Sequence, residues 1–390
     1  MSKIIVVTEF VSEAQNSTGF YWSRLIARSA REFTQTIVLS PTADQLAADL
    51  PSSVKGVRLL AAPAGRQMAR RIFQQLALSA GLVFALLRHA RRGDTVLAGT
   101  NPALQIPAIA LLQRLIGFRW VQVTHDVFPL NLKATGILPD RHPLFRALSA
   151  LFASSYRCVD GIVVIGRDME ETVAGLGVAP DRITYIPNWA PIDPMGPQEV
   201  GSGKAELGWS DRIVVQFLGN IGRAQGIPEL IEVIEATHND QVRFLFAGGG
   251  AMAREVEQLA ARRDDVRYLG PVPISQSRQV LELADICLVP LAPGMKGLGV
   301  PSKTYFNLAA DKHILYIGEP GSEIWQLIEE NPEIGWCFAP NESEKLSAFL
   351  NALSVSQLAG SKGARRRFLE QNNVEEKLLD RYMDVIRPRG

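Results

Sequence analysis

The chain has 390 residues, 47% of them hydrophobic and 21% charged, and its formal net charge at pH 7 is +1. This length predicts two or three domains, each with a core of its own. The balanced charge excludes the strongly basic field of a typical nucleic-acid-binding protein, so we expect no nucleic-acid partner.

The first residues, MSKIIVVTEF, predict a strand rather than a signal peptide, because they lack a long apolar core and a small-residue cleavage site. No run of 18 apolar residues occurs, so no membrane-spanning helix is predicted. Three widely separated cysteines form no CxxC pair, which fits a reducing compartment and argues against a disulfide framework or a zinc site.

Short β-branched runs alternate with segments of helical periodicity along the whole chain. Continuous apolar strands between helices predict parallel sheets that are covered on both faces. The first series of predicted strands comprises residues 4–8, 36–40, 95–100, 120–125 and 161–166. The second series comprises residues 213–219, 242–249, 266–270, 286–291, 313–318 and 335–339.

A segment rich in proline and glycine, residues 183–204, separates the two series. We therefore predict an α/β protein with two Rossmann-like, doubly wound domains, residues 1–195 and 196–368, facing each other across a cleft. Residues 369–390 are predicted to form a helix that packs back towards the N-terminal domain. Ligands of such sheets bind at the carboxyl ends of the strands, so the cleft is the expected active site.

The sequence GNIGRAQG, residues 219–226, follows a predicted strand and precedes a predicted helix. Glycines allow backbone N–H groups to approach an anion, and Arg223 supplies a guanidinium that matches phosphate geometry. The alternative is an ordinary strand-to-helix turn with a surface arginine. The loop is neither a Walker A motif nor a GxGxxG motif.

A second glycine-rich loop lies in KGLGVPSKTYFNLAAD, residues 296–311. Ser302 can cap the following helix, or Pro301 can occupy its first turn. The amides of Gly297, Gly299 and Val300 could line a diphosphate, with Lys303 or Lys296 as the counter-charge. The alternative is a capped helix with a solvated lysine. Two such loops in one domain favour a nucleotide diphosphate as the ligand.

Two further strand ends carry glycines, in FAGGG (246–250) and LGPVPISQ (269–276). The backbone at residues 270–272 could contact a nucleotide base, although either segment is more often a simple connection. His125-Asp126 ends another predicted strand. Adjacent strand residues point to opposite faces, so we favour His125 as the ligand contact and Asp126 as a local cap.

Motifs for other chemistries are missing from the sequence. It contains no DxD, no HExxH and no GxSxG, and its five histidines are scattered, so neither a metal site nor a serine hydrolase is predicted.

Residues 66–92 place six arginines around sixteen uncharged residues, and residues 142–157 have a similar basic and apolar character. This pattern is typical of an interfacial helix on an anionic membrane surface, but also of a core helix with solvated ends.

Taken together, several motifs resemble the retaining GT-B glycosyltransferases of family 4, and the resemblance covers nearly the whole chain. The motifs are IPNWAPID (186–193), GNIGRAQG (219–226), FAGGG (246–250), PLAP…GVPSKTY…LAADK (290–312) and GSEIWQLIEE…GW (321–336). The chain looks most like bacterial O-antigen and capsule enzymes, including N-acetyl-fucosamine transferases.

The resemblance implies transfer of a sugar from a nucleotide-diphosphate donor, preferably UDP-linked, to an undecaprenyl-diphosphate-linked saccharide. It implies a cytoplasmic enzyme, peripheral at the inner face of the cell membrane, that needs no metal or other cofactor. The N-terminal domain would bind the acceptor and the C-terminal domain the nucleotide sugar.

The resemblance also assigns roles to individual residues. The implied catalytic residues are His125, Arg223 and Lys303. The implied donor contacts are Gly219, Asn220, Gly222, Gly249, Gly270, Val272, Gly297, Leu298, Gly299, Val300, Ser302 and Asn307. The implied acceptor contacts are Ser17, Thr18, Gly19 and Phe20.

The chain departs from the family at three positions, one of which is Asp311, where the family usually has glycine. Many members carry two glutamates where Leu298 and Phe306 stand here, and the second often binds ribose; Asn307 or Glu323 is the candidate substitute. This departure keeps a degenerate GT-B subunit that scaffolds a polysaccharide complex open as an alternative. A GT-B sugar-nucleotide epimerase or a phosphorylase is the other alternative.

Overall fold

A computed structural model describes residues 3–59, 68–192, 201–358 and 363–387. By its internal contacts the chain divides into two units. The first comprises residues 1–187, 297–299 and 376–390, and the second comprises residues 188–296 and 300–375.

The first unit is built on a seven-stranded parallel sheet with the order β3-β2-β1-β4-β5-β6-β7. Its strands are β1 (Lys3–Val7), β2 (Gln35–Ser40), β3 (Val54–Arg58), β4 (Thr95–Ala98), β5 (Arg119–Thr124), β6 (Gly161–Val164) and β7 (Ile183–Tyr185). Its first six helices are α1 (Ser17–Glu32), α2 (Met68–His89), α3 (Gln105–Ile116), α4 (Leu130–Ala134), α5 (Pro143–Tyr156) and α6 (Arg167–Gly175).

The second unit is built on a six-stranded parallel sheet with the order β10-β9-β8-β11-β12-β13. Its strands are β8 (Ile213–Leu218), β9 (Val242–Ala247), β10 (Val266–Tyr268), β11 (Ile286–Pro290), β12 (His313–Ile317) and β13 (Gly335–Phe338). Its helices are α7 (Gly201–Glu206), α8 (Ile227–Glu235), α9 (Ala253–Arg262), α10 (Ile274–Glu282), α11 (Lys303–Ala309), α12 (Glu323–Glu330), α13 (Ser343–Ala352), α14 (Val355–Leu358) and α15 (Ala364–Asn372).

The last helix, α16 (Glu375–Ile386), lies in the first unit from its second residue onward. Asp380 accepts a hydrogen bond of 2.5 Å from Arg28 of α1, and Arg119 of β5 donates one of 2.7 Å to the Val385 carbonyl. A cation at the last carbonyls of a helix also complements its dipole. These contacts join the end of the chain to the first sheet.

Central strands are buried on both faces, as the apolar runs predict. The side chains of β1 from Ile4 to Val7 are at most 1% exposed, and those of Phe244 and Phe246 in β9 are fully buried. In the second unit one core cluster contains Phe217 and Phe246, and another contains Tyr305. Helices therefore cover the parallel sheet on both faces.

The predicted fold class of two Rossmann-like domains is confirmed. All eleven predicted strands are present, with each end within two residues of its predicted position, and β3 and β7 at the two edges of the first sheet are additions. Residues 193–200 of the predicted connection lie outside the described residues, and so does Arg66 of the predicted basic helix. None of the helices described combines the length and apolar character needed to cross a membrane.

Candidate active site

The two glycine-rich loops of the second half follow neighbouring strands. β8 and β11 lie side by side where the strand order of the six-stranded sheet reverses. The Ala292 N–H, just after β11, donates a hydrogen bond of 2.8 Å to the Ala224 carbonyl, in the loop after β8. Ligands of doubly wound sheets bind at the carboxyl ends of the strands beside such a reversal.

Backbone hydrogen bonds tie together the loops that follow β8, β9 and β10. They run from Gly219 N–H to Ala247 O (2.9 Å), from Ile221 N–H to Gly249 O (2.8 Å) and from Gly248 N–H to Gly270 O (2.7 Å). A Cβ atom at Gly248 would lie 1.8 Å from the Gly219 carbonyl oxygen. Glycine is therefore required at position 248. The hydrogen bonds bring Gly219, Gly249 and Gly270 together at one edge of the sheet.

Lys303 begins α11 and lies beside the end of β8. Its Nζ is 3.6 Å from the centroid of the Phe217 ring, and its Cδ is 4.0 Å from where a Cβ on Gly219 would lie. Removal of the ammonium from water lowers the pKa of Lys303 to about 7. A nearby anion would favour the charged form and raise that pKa again.

Arg223 lies in a single 3₁₀ turn, residues 223–225, between β8 and α8. Its side chain is exposed, and within the described parts of the chain it has no ion-pair partner. The Gly222 N–H donates to Gln225 Oε1 at 3.0 Å, and a Cβ on Gly222 would lie 2.7 Å from Asn220 Nδ2. The turn is thus held internally, and the guanidinium is open to an anion.

Ser302 occupies the N-cap position of α11, but its side chain makes no capping hydrogen bond. Val300 packs against the core of the second unit together with Phe306. Asn307 is only 5% exposed. Val272 is half-buried in the short connection between β10 and α10.

Of the two candidates for ribose recognition, Glu323 lies in the first turn of α12 and is 1% exposed. Asn307 lies in the middle of α11. Phe306 makes apolar core contacts in place of the family's second glutamate.

His125 follows β5 in the first unit. Its ring stacks on Tyr21 of α1 with a centroid separation of 6.1 Å and an interplanar angle of 25°. Burial lowers the pKa of His125 to about 4, so the imidazole is neutral at pH 7. Its Nε2 is buried and has no hydrogen-bond partner among the described residues.

The start of α1 carries the predicted acceptor residues Ser17, Thr18, Gly19 and Phe20. Asn16 caps the helix by accepting a hydrogen bond of 2.8 Å from the Gly19 N–H. A Cβ on Gly19 would lie 2.1 Å from the Ser12 carbonyl oxygen, so the loop before α1 packs directly on this glycine. Because Tyr21 touches His125, the structure brings this turn close to His125.

Residues 297–299 belong to the first unit. Gly299 forms an antiparallel bridge with Asp126, and the Val127 N–H donates to the Leu298 carbonyl at 2.9 Å. The Leu298 side chain is 6% exposed. Asp126, predicted as a local cap, has no backbone hydrogen bond to its carboxylate within the described ranges; burial raises its pKa to about 6.

Two acidic residues at the glycine-rich loop escaped the sequence analysis. The Gly297 N–H donates to Asp168 Oδ2 at 2.8 Å, and Glu319 Oε2 accepts from Gly294 N–H at 2.9 Å and Lys296 N–H at 3.1 Å. Both acids come shortly after a strand, with a glycine between the strand and the acid, in VVIGRD and LYIGE. A strand followed by glycine and then an acid was therefore the available signal.

Two parallel doubly wound sheets, each with glycine-rich or polar loops at its carboxyl edge, define a double Rossmann-like α/β protein suited to an anionic ligand. Residues 18–189 match the family model described as glycosyl transferase 4-like domain, and residues 212–354 match the model described as glycosyl transferases group 1. The chain belongs to the GT-B glycosyltransferases of this family, and it is a transferase.

A Pseudomonas aeruginosa protein described as a probable glycosyltransferase, WbjE, is 38% identical over 405 residues, covering 100% of this chain and 98% of the relative. Anabaena HepE in complex with UDP has a TM-score of 0.69 at 14% identity, covering 98% of this chain and 99% of that chain. WaaG, a glycosyltransferase involved in lipopolysaccharide biosynthesis, has a TM-score of 0.68 at 14% identity and covers 100% of both chains.

Proposed function

We propose that this glycosyltransferase moves a sugar from a UDP-linked donor to a lipid-linked saccharide, with retention of configuration, in the synthesis of a bacterial surface polysaccharide. One observation carries the donor assignment: the glycine loops after β8, β9 and β10 meet beside Lys303. The UDP bound to HepE and the lipopolysaccharide role of WaaG support this choice of donor and product.

In this proposal Arg223 and Lys303 stabilise the departing diphosphate. Charge builds on that leaving group in the transition state, and fixed cations in a site of low dielectric stabilise it without a cost of reorganisation. The half-buried Lys303 meets this requirement because its ammonium is already largely withdrawn from water. No metal is needed if these two side chains supply the positive charge.

The neutral imidazole of His125 contacts a hydroxyl of the donor sugar in this proposal. None of the described residues forms a hydrogen bond with its buried Nε2. A sugar hydroxyl can both donate and accept a hydrogen bond, so it could pair with this nitrogen. The turn formed by Ser17–Phe20 contributes to the acceptor site, because Tyr21 joins this turn to His125.

A panel of nucleotide sugars tests the donor assignment by thermal stabilisation. A ligand at one hundred times its Kd adds about 2.7 kcal/mol to the free energy of unfolding, so we expect UDP and UDP-sugars to raise the Tm by a few degrees. GDP-, CMP- and dTDP-sugars at the same concentration serve as controls. Stabilisation by one of these and not by any UDP compound would contradict the assignment.

The same proposal includes binding to an anionic membrane through the first unit. Helix α3 packs against α2 and α5, and all three carry exposed apolar side chains. These are Leu76, Phe84 and Leu87 of α2, Leu111 and Leu115 of α3, and Leu144 and Leu151 of α5. Exposed arginines stand among them, namely Arg88, Arg114 and Arg146. Apolar side chains with neighbouring arginines fit an interfacial surface.

Vesicle flotation tests this membrane surface. Phe84 is 68% exposed and Leu115 is 72% exposed, so Phe84→Ser with Leu115→Ser should leave the core intact. Burial of such a side chain contributes about 1.5–3 kcal/mol, and we expect the double variant to bind phosphatidylglycerol vesicles at least about tenfold more weakly. Ile274→Ser, at an exposed position of the second unit, is the matched control. Equal flotation of the double variant and wild type would refute the proposed surface.

A further inference from the structure

We propose that Asp168 is a positioning residue for the donor loop, defined here as residues 294–303, and that it strengthens the binding of a nucleoside diphosphate by holding this loop. The inference rests on the proposed function, because it assigns the loop to the donor. Asp168 lies in the first turn of α6, far from the loop in sequence, and its carboxylate accepts the Gly297 N–H at 2.8 Å.

The hydrogen bond from Gly297 is charge-assisted, which makes it stronger than a bond between neutral partners. The amino end of α6 also favours a negative charge at Asp168. A carboxylate at this position therefore binds the amide more firmly than a neutral side chain would.

Gly297 fits closely against the same turn of α6. Its φ is +72°, and a Cβ atom there would lie 2.3 Å from Thr172 Oγ1 and 2.8 Å from the Asp168 carbonyl oxygen. Only glycine can adopt this conformation in this space without rearrangement. The chain therefore approaches α6 closely enough for its amide to reach the Asp168 carboxylate.

The next two residues are held by the strand end that carries His125. The Leu298 carbonyl accepts the Val127 N–H at 2.9 Å, and Gly299 forms the antiparallel bridge with Asp126. Three consecutive residues are thus fixed immediately before Val300. The contacts with Asp168 and Asp126 therefore order the centre of the donor loop.

The residues that precede Gly297 have an anchor of their own in the second unit. Glu319 Oε2 accepts the Gly294 and Lys296 amides, and Lys296 Nζ donates to the Pro320 carbonyl at 2.9 Å. The N–H groups of residues 294, 296 and 297 therefore all donate hydrogen bonds to carboxylates. A loop that becomes ordered only on binding loses conformational entropy, and this loss weakens the affinity. By ordering the loop in the free enzyme, Asp168 would remove this cost and so raise the affinity for the ligand.

The test combines UDP binding, measured by calorimetry, with hydrogen exchange of peptides that cover residues 294–303. We expect Asp168→Ala to raise the Kd for UDP about tenfold and to speed exchange in this loop, with the Tm close to that of wild type. Asp168→Asn keeps an oxygen acceptor and should stay within about threefold of wild type. Glu171→Ala, an exposed acid on the same helix, should behave as wild type.

Unchanged or tighter UDP binding by Asp168→Ala would overturn the inference. If the wild-type protein binds no UDP, the proposed UDP donor is contradicted. The positioning role of Asp168 is then tested by hydrogen exchange alone. In that case, faster exchange confined to residues 294–303 supports the positioning role, and unchanged exchange overturns it.

Discussion

Lys303→Met is expected to lower kcat/KM for the nucleotide-sugar donor by about a thousandfold, while the variant remains folded. Loss of one preorganised group that stabilises transition-state charge typically costs about 10²–10³ in kcat. Lys303 should lie at the upper end because its ammonium is largely withdrawn from water beside Phe217. Methionine keeps the unbranched shape and most of the length of the side chain and removes a desolvated charge, so stability should not fall. Steady-state kinetics and thermal unfolding measure the two effects.

Lys345→Met is the matched control, since it makes the same charge change at an exposed lysine that pairs with Glu342. Its kinetics should equal those of wild type. Arg223→Ala should lower kcat/KM as well, by about a hundredfold, because the exposed guanidinium acts in a site more open to water. Full activity of both the Lys303 and the Arg223 variants would rule out the assignment of these side chains to the donor diphosphate.

The pH dependence of donor binding separates a charge effect from a loss of packing. The pKa of Lys303 is about 7 in the free enzyme, and a diphosphate beside it would raise that pKa. Above pH 7, donor binding should then be accompanied by protonation of Lys303. Affinity should weaken as pH rises, by up to about tenfold per pH unit, until the pKa of the complex is reached. Lys303→Met should show no such dependence over this range.

Gly248→Ala is expected to lower the free energy of unfolding by about 3 kcal/mol or more, or to prevent folding of the second unit. The φ of Gly248 is +138°, and the added Cβ would lie 1.8 Å from the Gly219 carbonyl oxygen. The backbones of Gly219 and Gly248 are both hydrogen-bonded to neighbouring loops, so the clash can be relieved only by separating the loops after β8 and β9. Urea denaturation measures the loss.

Gly175→Ala is the control for this second variant. Gly175 ends α6, has no positive φ, and would place its Cβ in open space. The substitution should change stability by less than about 1 kcal/mol, with a gain expected because alanine favours the helix. A Gly248→Ala protein within 1 kcal/mol of wild type would show that the loops after β8 and β9 tolerate separation, contrary to the contact described here.

The edge strands of the first sheet were not predicted from the sequence pattern. The central strands of a covered parallel sheet are buried on both faces, so β1, β8 and β9 stand out as continuous apolar runs. The edge strand β3, VKGVR, is partly exposed along its length and contains charged residues and a glycine. Its order comes from pairing with β2, which no local pattern indicates.

Local chemistry could be predicted from the order of the residues alone: glycines after strands, a helix start at Lys303, and a strand that ends in His125. These features depend on residues close together in the chain, whose conformations and periodicity are local properties. Which of these features contact one another became known from the folded chain. It placed β8 beside β11, Tyr21 against His125, and Asp168 on the Gly297 amide 129 residues away. Such contacts depend on strand order and on packing of distant segments, which no local pattern in a single sequence specifies.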